Sequence, residues 1–455
     1  MNKIFLFLIS ISISLGCFSL MSRAEDLLQV YKQAKASNPG LHKTIADRDT
    51  EFEKINEAHS FMLPLLELSA GDVDDYRYGS HHKMNSIITH GSLSLTQTVF
   101  DMSKLHALTL QEKTANISNI ILQISSQGLI LETATAYLNA LYDMDVLSYI
   151  YEQKKSAYRA QDQVTQRFNA GLVSITDVQS ARSNYDTILM SEITARNTLD
   201  NALERLRQVT GVFYSDLVSL NIARFRPQLP EAMNTLLKKA ETHNLSLISA
   251  RLGQDLAREQ IRLAQTGYMP IININASIEL MNTKYISSSN IDSFLDSNTR
   301  QNKVSLNMNL PLDTRGVIKS QVRQARYGFV VASALLESAH RNLVQNVCTS
   351  FNNLHASIRG IDIYKKAVVS AQDFLNIIEF RYKQGISTAV DVSSATTALY
   401  NLKQQLSGAR YTYLINQLNI KSSLGTLNEK DLMVLNGLLD KPILLSKKNI
   451  TPVVY

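Results

Sequence analysis

The sequence contains two related segments, FNAGLVSITDV at residues 168–178 and YKQGISTAVDV at residues 382–392. A constant offset of 214 residues aligns them without a gap, and an offset of 206 residues aligns earlier parts of the chain. The aligned pairs include Arg167 with Arg381, Ala195 with Ala409, Gly211 with Gly425, Asn38 with Asn244 and Pro64 with Pro270. Self-similarity at so long a spacing predicts two copies of one unit of about 205 residues, with a longer loop in the second copy.

The repeats and the two ends divide the 455 residues into four predicted parts. Residues 1–24 are predicted to be a secretory signal peptide, because Lys3 precedes an apolar run from Ile4 to Leu20, and Ser22-Arg23-Ala24, a small-x-small cleavage pattern, follows this run. The alternative is a lipoprotein signal in which Cys17 is the lipidated residue. The remaining parts are repeat 1 at 25–226, repeat 2 at 227–430, and a C-terminal equatorial segment or tail at 431–455.

The composition excludes several classes of protein. The net charge of +6 comes from Lys and Arg residues dispersed among Asp and Glu, which gives no sign of nucleic-acid binding. After signal cleavage Cys348 is the remaining cysteine, so no intrachain disulfide is expected. Beyond the signal, no run of 18 or more residues lacks charges and strongly polar side chains, so we expect any membrane crossing to use β-strands.

Two long tracts in each copy repeat apolar residues every three or four positions, the pattern of coiled-coil helices. As one helix, the tract Asp101–Arg167 would be roughly 100 Å long. In each copy the shared segment then supplies a glycine that ends one helix and a threonine, Thr176 or Thr388, that caps the next. We therefore predict two antiparallel helical hairpins, 101–211 and 314–425, with tips at 168–178 and 382–392.

Elsewhere in each copy the hydrophobic period is two. Residues 272–280 alternate Ile, Ala and Leu with Asn, Ser and Glu, and residues 303–310 alternate in the same way. We predict strand pairs within 65–100 and 271–313, joined by polar loops at 72–86 and 281–301. An apolar face of about nine residues suits a tilted transmembrane strand. The alternative is a soluble sheet that covers a helical core.

Four transmembrane strands per chain leave open edges, which are not tolerated in lipid. Two chains would give a barrel of eight strands, and side chains fill the interior of a barrel of that size. Three chains give twelve strands, the smallest multiple that leaves a lumen. The predicted fold class is an α+β membrane protein built from two tandem repeats. In the trimer, one shared twelve-stranded β-barrel, with four strands from each protomer, continues into a long α-helical coiled-coil tunnel.

Several segments resemble the TolC family of outer membrane factors, and the resemblance covers nearly the whole chain. They include ADRDTEFEKINEA, FDMSKLHALTLQEKTA, TQRFNAGLVSITDVQSARSNYDT and ARYTYLINQLNIKSSLGTLNE. The resemblance implies a homotrimer in the outer membrane, with a β-barrel in the lipid and a helical tunnel across the periplasm. The implied partners are a periplasmic adaptor protein and an inner-membrane ABC, RND or MFS transporter. Drugs, detergents and secreted proteins would pass through the duct.

The resemblance also assigns roles to the two tips. Asp177, next to Thr176 in the first tip, would bond to Tyr382 in the second tip and latch the periplasmic entrance shut. Ser387 stands where the family has an arginine, so we expect this latch to be weaker. A hydrogen bond from a phenol to a carboxylate contributes about 1.5 to 3 kcal/mol, whereas serine offers no bidentate pairing.

At the entrance constriction the family has two aspartates, of which Asp391 matches the first and Ser394 replaces the second. We expect a cation-preferring entrance with a shallower electrostatic well. The tip glycines and their apolar neighbours would receive the adaptor, and the alternative role of these glycines, turning the chain, is compatible with docking. The implied docking residues are Gly171, Leu172, Val173, Gly385 and Ile386.

The sequence carries no motif of a phosphate loop, a metalloprotease or a nucleophile elbow, so we predict that the protein is not an enzyme. His81, His82 and His90 lack the spacing of metal ligands and are interpreted as loop residues, so we predict no metal and no cofactor. Cys348 is interpreted as a small hydrophobic residue. The predicted function is the outer-membrane exit duct of tripartite efflux pumps and type I secretion systems. The alternative is a non-conducting trimeric coiled-coil spacer or adhesin.

Overall fold

The computed structural model describes residues 25–78, 83–214, 216–287 and 297–442. The predicted signal peptide with Cys17, the histidines at 81 and 82, and the predicted tail from 443 lie outside these residues. The helices are α1 (Leu27–Ser37), α2 (Pro39–Ser60), α3 (Met102–Asn169), α4 (Ile175–Thr210), α5 (Met233–His243), α6 (Leu245–Gln265), α7 (Val317–Lys383), α8 (Ala389–Ser423) and α9 (Glu429–Asn436). The strands are β1 (Leu65–Tyr78), β2 (Lys83–Phe100), β3 (Val218–Leu220), β4 (Ile271–Ser287), β5 (Ser297–Asn309) and β6 (Leu439–Pro442).

Packing divides the chain into two compact units, and each unit contains parts of both predicted repeats. One unit consists of Met1–His42, Ser125–Asn244 and Val344–Tyr455, and the other of Lys43–Ile124 and Leu245–Leu343. The first unit holds both hairpin tips, and the second holds a four-stranded sheet. The predicted repeat boundary at 226 falls inside the first unit and stays a prediction about the sequence.

The four-stranded sheet is antiparallel, with the strand order β1-β2-β4-β5. Leu66 lies opposite Leu95, Leu95 opposite Ala276, and Ala276 opposite Val304, so one apolar row crosses all four strands. Because neighbours in a row share a face of the sheet, the rows immediately above and below face the other way. One such row is polar and consists of Glu67, Ser94, Ser277 and Lys303.

The apolar face of this sheet is exposed in the protomer. Leu68 is 82% exposed, Val304 79% and Leu306 69%. Side chains of this kind are buried in a soluble sheet that covers a helical core, so these exposures do not fit that alternative. None of the helices that the structure describes is both long and apolar enough to cross a membrane.

The predicted polar loops at 72–86 and 281–301 are wrong in their extent. β1 continues to Tyr78 and β2 begins at Lys83, while β4 continues to Ser287 and β5 begins at Ser297. The backbone ladder needs no apolar alternation, because each strand's N–H and C=O groups pair with the neighbouring strand whatever the side chains are. The polar residues that indicated loops therefore extend the strand pairs instead.

Both long hairpins have helical arms and a short tip. α3 ends at Asn169 and α4 begins at Ile175, while α7 ends at Lys383 and α8 begins at Ala389. The seam of α3 is buried at Ala134, Leu138 and Leu141. The glutamine that interrupts this predicted seam, Gln127, donates hydrogen bonds to the carbonyl oxygens of Gly425 (3.0 Å) and Leu427 (3.1 Å). The polar interruption thus satisfies backbone acceptors beyond the end of α8.

A buried acidic group lies where α3 packs against α8. Asp145 accepts hydrogen bonds from the hydroxyls of Ser407 (2.6 Å) and Tyr411 (3.2 Å). Burial raises the pKa of Asp145 above its ordinary value of 3.8, although these hydrogen bonds and the positive charge of Arg410 act in the opposite direction. The folded state therefore favours the protonated carboxyl more than the unfolded chain does.

Candidate functional site

The two hairpin tips have the same backbone geometry. In the first tip the N–H of Leu172 donates to the carbonyl of Arg167 (2.9 Å), and Gly171 has a φ of 71°. In the second tip the N–H of Ile386 donates to the carbonyl of Arg381 (2.9 Å), and Gly385 has a φ of 76°. This is the left-handed helix ending that glycine provides, and it satisfies carbonyl groups that the end of the helix leaves open.

Each tip then starts its second helix with a capping box. The Ser174 hydroxyl oxygen accepts the N–H of Asp177, and the Asp177 carboxylate accepts the N–H of Ser174 (3.0 Å). The Thr388 hydroxyl oxygen and Asp391 exchange the same pair of bonds, with 2.8 Å from the Thr388 N–H to the carboxylate. Both aspartates thus have a local structural role at the start of a helix.

The predicted cap at Thr388 is confirmed, but the predicted cap at Thr176 is wrong. The N-cap residue of α4 is Ser174, and Thr176 lies inside the first turn of the helix. The offset of 214 residues pairs Thr388 with Ser174, so the repeat itself contained the correct assignment. Only a residue with extended backbone dihedrals directly before the helix can direct its side chain at the free N–H groups.

Asp391 is exposed at the beginning of α8. Hydrogen bonds from the backbone N–H and the side chain of Thr388 lower the pKa of the Asp391 carboxyl, and the positive charge of Arg381 acts in the same direction. Asp391 is therefore ionised at neutral pH. Its neighbour Arg381, however, places a positive charge near the same carboxylate.

Tyr382 contacts the first tip through its ring. The guanidinium of Arg167 lies over this ring, 4.9 Å from its centroid. The Tyr382 hydroxyl oxygen is buried and has no hydrogen-bond partner within the described chain, so within one protomer it is not bonded to Asp177. The Arg167–Tyr382 contact was not predicted, although the repeat shows the signal: an arginine followed by an aromatic residue at both tips, Arg167-Phe168 and Arg381-Tyr382.

The apolar residues of the tips face the solvent in the protomer. Leu172 is 69% exposed and Ile386 is 67% exposed, while Val173 is partly exposed. A Cβ atom added at Gly171 or Gly385 would meet nothing within 4 Å. The tips therefore present exposed apolar side chains beside two glycines that have open space around them.

A groove with a volume of about 350 Å³ lies beside the first tip, between α3, α4 and α8. Asp177 and Ser394 both line it, together with Ala157, Ala389 and Val390. Ser394, which is predicted to lie at the entrance, thus lines the same groove as Asp177, which is predicted to form the latch. No group of three or more metal-ligating side chains occurs in the described part of the chain.

An exposed apolar sheet together with long, capped helical hairpins is the architecture of an outer-membrane channel protein. The profile of the family described as outer membrane efflux protein matches residues 30–212 and 236–426, so the chain belongs to that family. It is an outer-membrane efflux channel and not an enzyme, and it works as part of a tripartite pump or secretion complex.

Relatives match nearly the full length of the chain in sequence, and a solved structure matches its fold. Outer membrane protein TolC is 56% identical over 449 residues in Salmonella enteritidis and 55% identical over 452 residues in Escherichia coli K12, covering 98% of this chain and 91% of each relative. The alkaline protease secretion protein AprF of Pseudomonas aeruginosa is 27% identical and covers 92% of this chain and 89% of its own. The crystal structure of the Campylobacter jejuni CmeC outer membrane channel has the same fold, with a TM-score of 0.74 at 15% identity over 91% of this chain and 90% of CmeC.

Proposed function

We propose that this protein is the exit duct through which drugs, detergents and secreted proteins leave a periplasm-spanning export complex. Its similarity to TolC supports efflux, and its similarity to a protease secretion protein supports type I secretion. The observation that carries the proposal is the two-sided sheet, whose apolar face is exposed while its other face is polar. A lipid-facing wall around an aqueous path needs these two faces, whereas a non-conducting spacer or adhesin does not.

The proposed assembly is a homotrimer of tandem repeats. β1 and β5 are the edges of the sheet, so each protomer offers two strands that are paired on one side and open on the other. Three copies joined edge to edge would form one closed twelve-stranded barrel in the outer membrane, with every ladder paired. The helical hairpins would then form a periplasmic tunnel below it, continuous with the lumen of the barrel.

The proposed partners meet the duct at its tips. The exposed residues Leu172 and Ile386, beside the open glycines Gly171 and Gly385, would receive the helical tips of a periplasmic adaptor protein. Val173 extends the same apolar surface. Through the adaptor the duct would serve an inner-membrane transporter of the ABC, RND or MFS type.

The proposed gate uses the same tips. In the trimer, Asp177 and the adjacent Thr176 would supply a hydrogen-bond latch to Tyr382, whose buried hydroxyl has no partner in one protomer. Asp391 would form a ring of three carboxylates at the entrance constriction and favour cations. Arg381 would weaken that preference, because its charge acts on the same carboxylate.

The test of the gate is the ion selectivity of the purified protein in a planar bilayer. Asp391→Ala is expected to shift the reversal potential in a salt gradient toward that of an unselective pore. Thr388→Ala is the matched control, since it removes the capping hydroxyl of the same tip and keeps the carboxylate of Asp391. Equal selectivity in the wild type and in Asp391→Ala would contradict the proposed ring.

The test of the duct itself is detergent extraction from outer membranes followed by conductance measurement and complementation of an export-deficient strain. A conducting trimer that restores drug resistance and protein secretion is expected. A soluble trimer that does not conduct would favour the spacer or adhesin instead.

A further inference from the structure

An arginine followed by an aromatic residue ends the first long helix of both hairpins: Arg167-Phe168 in α3 and Arg381-Tyr382 in α7. One half of each dipeptide is used within the protomer, where the Arg167 guanidinium lies over the Tyr382 ring at 4.9 Å. A cation at this distance from an aromatic face is attracted to it. This contact joins the first tip to the second tip of the same chain.

The helix endings fix both partners of this contact. The carbonyl of Arg167 accepts the N–H of Leu172 (2.9 Å), and the carbonyl of Tyr382 accepts the N–H of Gly385 (3.0 Å). Little backbone freedom therefore has to be given up when the side chains meet. The contact uses the face of the Tyr382 ring and not its hydroxyl.

The other halves of the two dipeptides are not used in the same way. Arg381 is exposed, Phe168 is 38% exposed, and within the described chain no guanidinium lies over the Phe168 ring. The offset of 214 residues makes Arg381 the equivalent of Arg167, and Phe168 the equivalent of Tyr382. The pair Arg381–Phe168 is therefore the repeat-related counterpart of the contact that is formed.

In a trimer of tandem repeats the six tips alternate around the axis. A first tip then faces its own second tip on one side and the second tip of a neighbouring protomer on the other. We propose that Arg381 lies over Phe168 of the neighbouring protomer, so that six arginine–aromatic contacts close a ring at the tips. The proposal rests on the proposed trimer, because the second contact needs a second copy of the chain.

The nearby Asp391 does not compete with this contact. Arg381 acts electrostatically on the Asp391 carboxylate. A guanidinium can donate its N–H groups to a carboxylate at its edge while its flat face lies on an aromatic ring. The same arginine can therefore serve the entrance charge of its own tip and the ring of the neighbouring tip.

Cysteine pairs test the ring directly in the purified trimer, in a Cys348→Ser background. Arg381→Cys combined with Phe168→Cys is expected to give covalent dimers and trimers with a short bifunctional thiol reagent. The matched pair, Arg167→Cys with Tyr382→Cys, is expected to cross-link within one chain and leave the denatured protein at the mass of a monomer. An intact trimer in which the first pair gives no cross-link between chains would overturn the proposal.

Conductance provides a second measurement on the full protein. In the trimer, Arg381→Ala or Phe168→Ala removes all three proposed contacts between chains and is expected to increase the opening of the closed duct by about two- to fivefold for each of the three. Phe168→Tyr keeps an aromatic face and is expected to have the conductance of the wild type. Arg159→Ala, at an exposed arginine earlier in α3, is expected to leave the conductance unchanged. If Phe168→Tyr increases the conductance as much as Phe168→Ala does, the aromatic role of this residue is contradicted.

The two experiments separate this inference from the proposed function. A trimer that cross-links as expected but never conducts, in any variant, would refute the duct and leave the ring standing. A conducting trimer without cross-links between chains would refute the ring and leave the duct standing.

Discussion

Replacement of Gly425 by alanine is expected to destabilise the protein more than the same change at either tip. Gly425 follows α8 with a φ of 73°. A Cβ atom at this position would lie 2.2 Å from the carbonyl oxygen of His243 and 2.8 Å from the Cα of Asn244. These are backbone atoms at the junction of α5 and α6, so the clash cannot be relieved by a rotamer change.

The magnitude follows from comparison with the other left-handed glycines. An alanine in this backbone region costs about 1–2 kcal/mol through its own Cβ. That cost alone applies at Gly171 and Gly385, where nothing lies within 4 Å of the added atom. At Gly425 forced overpacking adds about 1–3 kcal/mol, which gives a total of about 2–5 kcal/mol. A Cβ atom added at Gly211 would lie 3.6 Å from the side chain of Ser37, an ordinary contact distance, so Gly211→Ala is expected to behave like the same change at the tip glycines.

The assay heats the detergent-solubilised oligomer at one fixed rate and follows it by gel electrophoresis. The midpoint is the temperature at which half of the protein no longer migrates as the folded oligomer. A comparison of temperatures is needed because an oligomeric membrane protein does not unfold as a two-state monomer. Gly425→Ala is expected to have the lowest midpoint and the smallest amount of protein in the outer membrane. A Gly171→Ala midpoint as low as that of Gly425→Ala would refute the steric argument. If Gly171→Leu stays folded but loses export, Gly171 is needed for docking of the adaptor and not only for the turn.

Three further outcomes are expected. Leu68→Arg, on the exposed apolar face, is expected to cost about 2–4 kcal/mol of membrane stability and to deplete folded protein from outer membranes, whereas Glu67→Arg on the polar face is not. Because burial raises the pKa of Asp145, its stabilising contribution is present at low pH and is lost as the pH rises through the folded pKa, so Asp145→Asn is expected to flatten the pH dependence of the unfolding midpoint above pH 3.8. Ser174→Ala is expected to cost about 1 kcal/mol and to speed amide exchange in the first turn of α4, whereas Thr176→Ala leaves that exchange nearly unchanged.

The periodic parts of the sequence predicted their structures well. Alternation along 272–280 and 303–310 places Ala276 and Val304 on one face, and the observed register pairs them directly. This succeeds because a strand has a side-chain period of two whatever its neighbours are. The ends of the same strands were predicted badly, since the length of a ladder depends on the partner strand and not on a strand's own residues.

The tips show the same division. The glycine positions of both turns follow from the sequence, because left-handed backbone strongly selects that residue. The capping residue of α4 required a choice between two hydroxyl side chains, and single-sequence reasoning chose Thr176. The contact between Arg167 and Tyr382 joins residues far apart in the chain, and the packing of two long helices determines whether they meet. The sequence around either residue therefore does not predict this contact.

The observed geometry changes which tip residues point to function. The capping box needs a side-chain acceptor at the third residue of α4 and of α8. Helix formation alone therefore explains the presence of Asp177 and Asp391. Gly171 and Gly385 are likewise explained by their turns. Local structure demands neither an aromatic residue at 168 nor an arginine at 381, and both are exposed in the protomer. Side chains that no local rule requires are free to be selected for contacts between chains, so functional tests at the tips are most informative at these two positions.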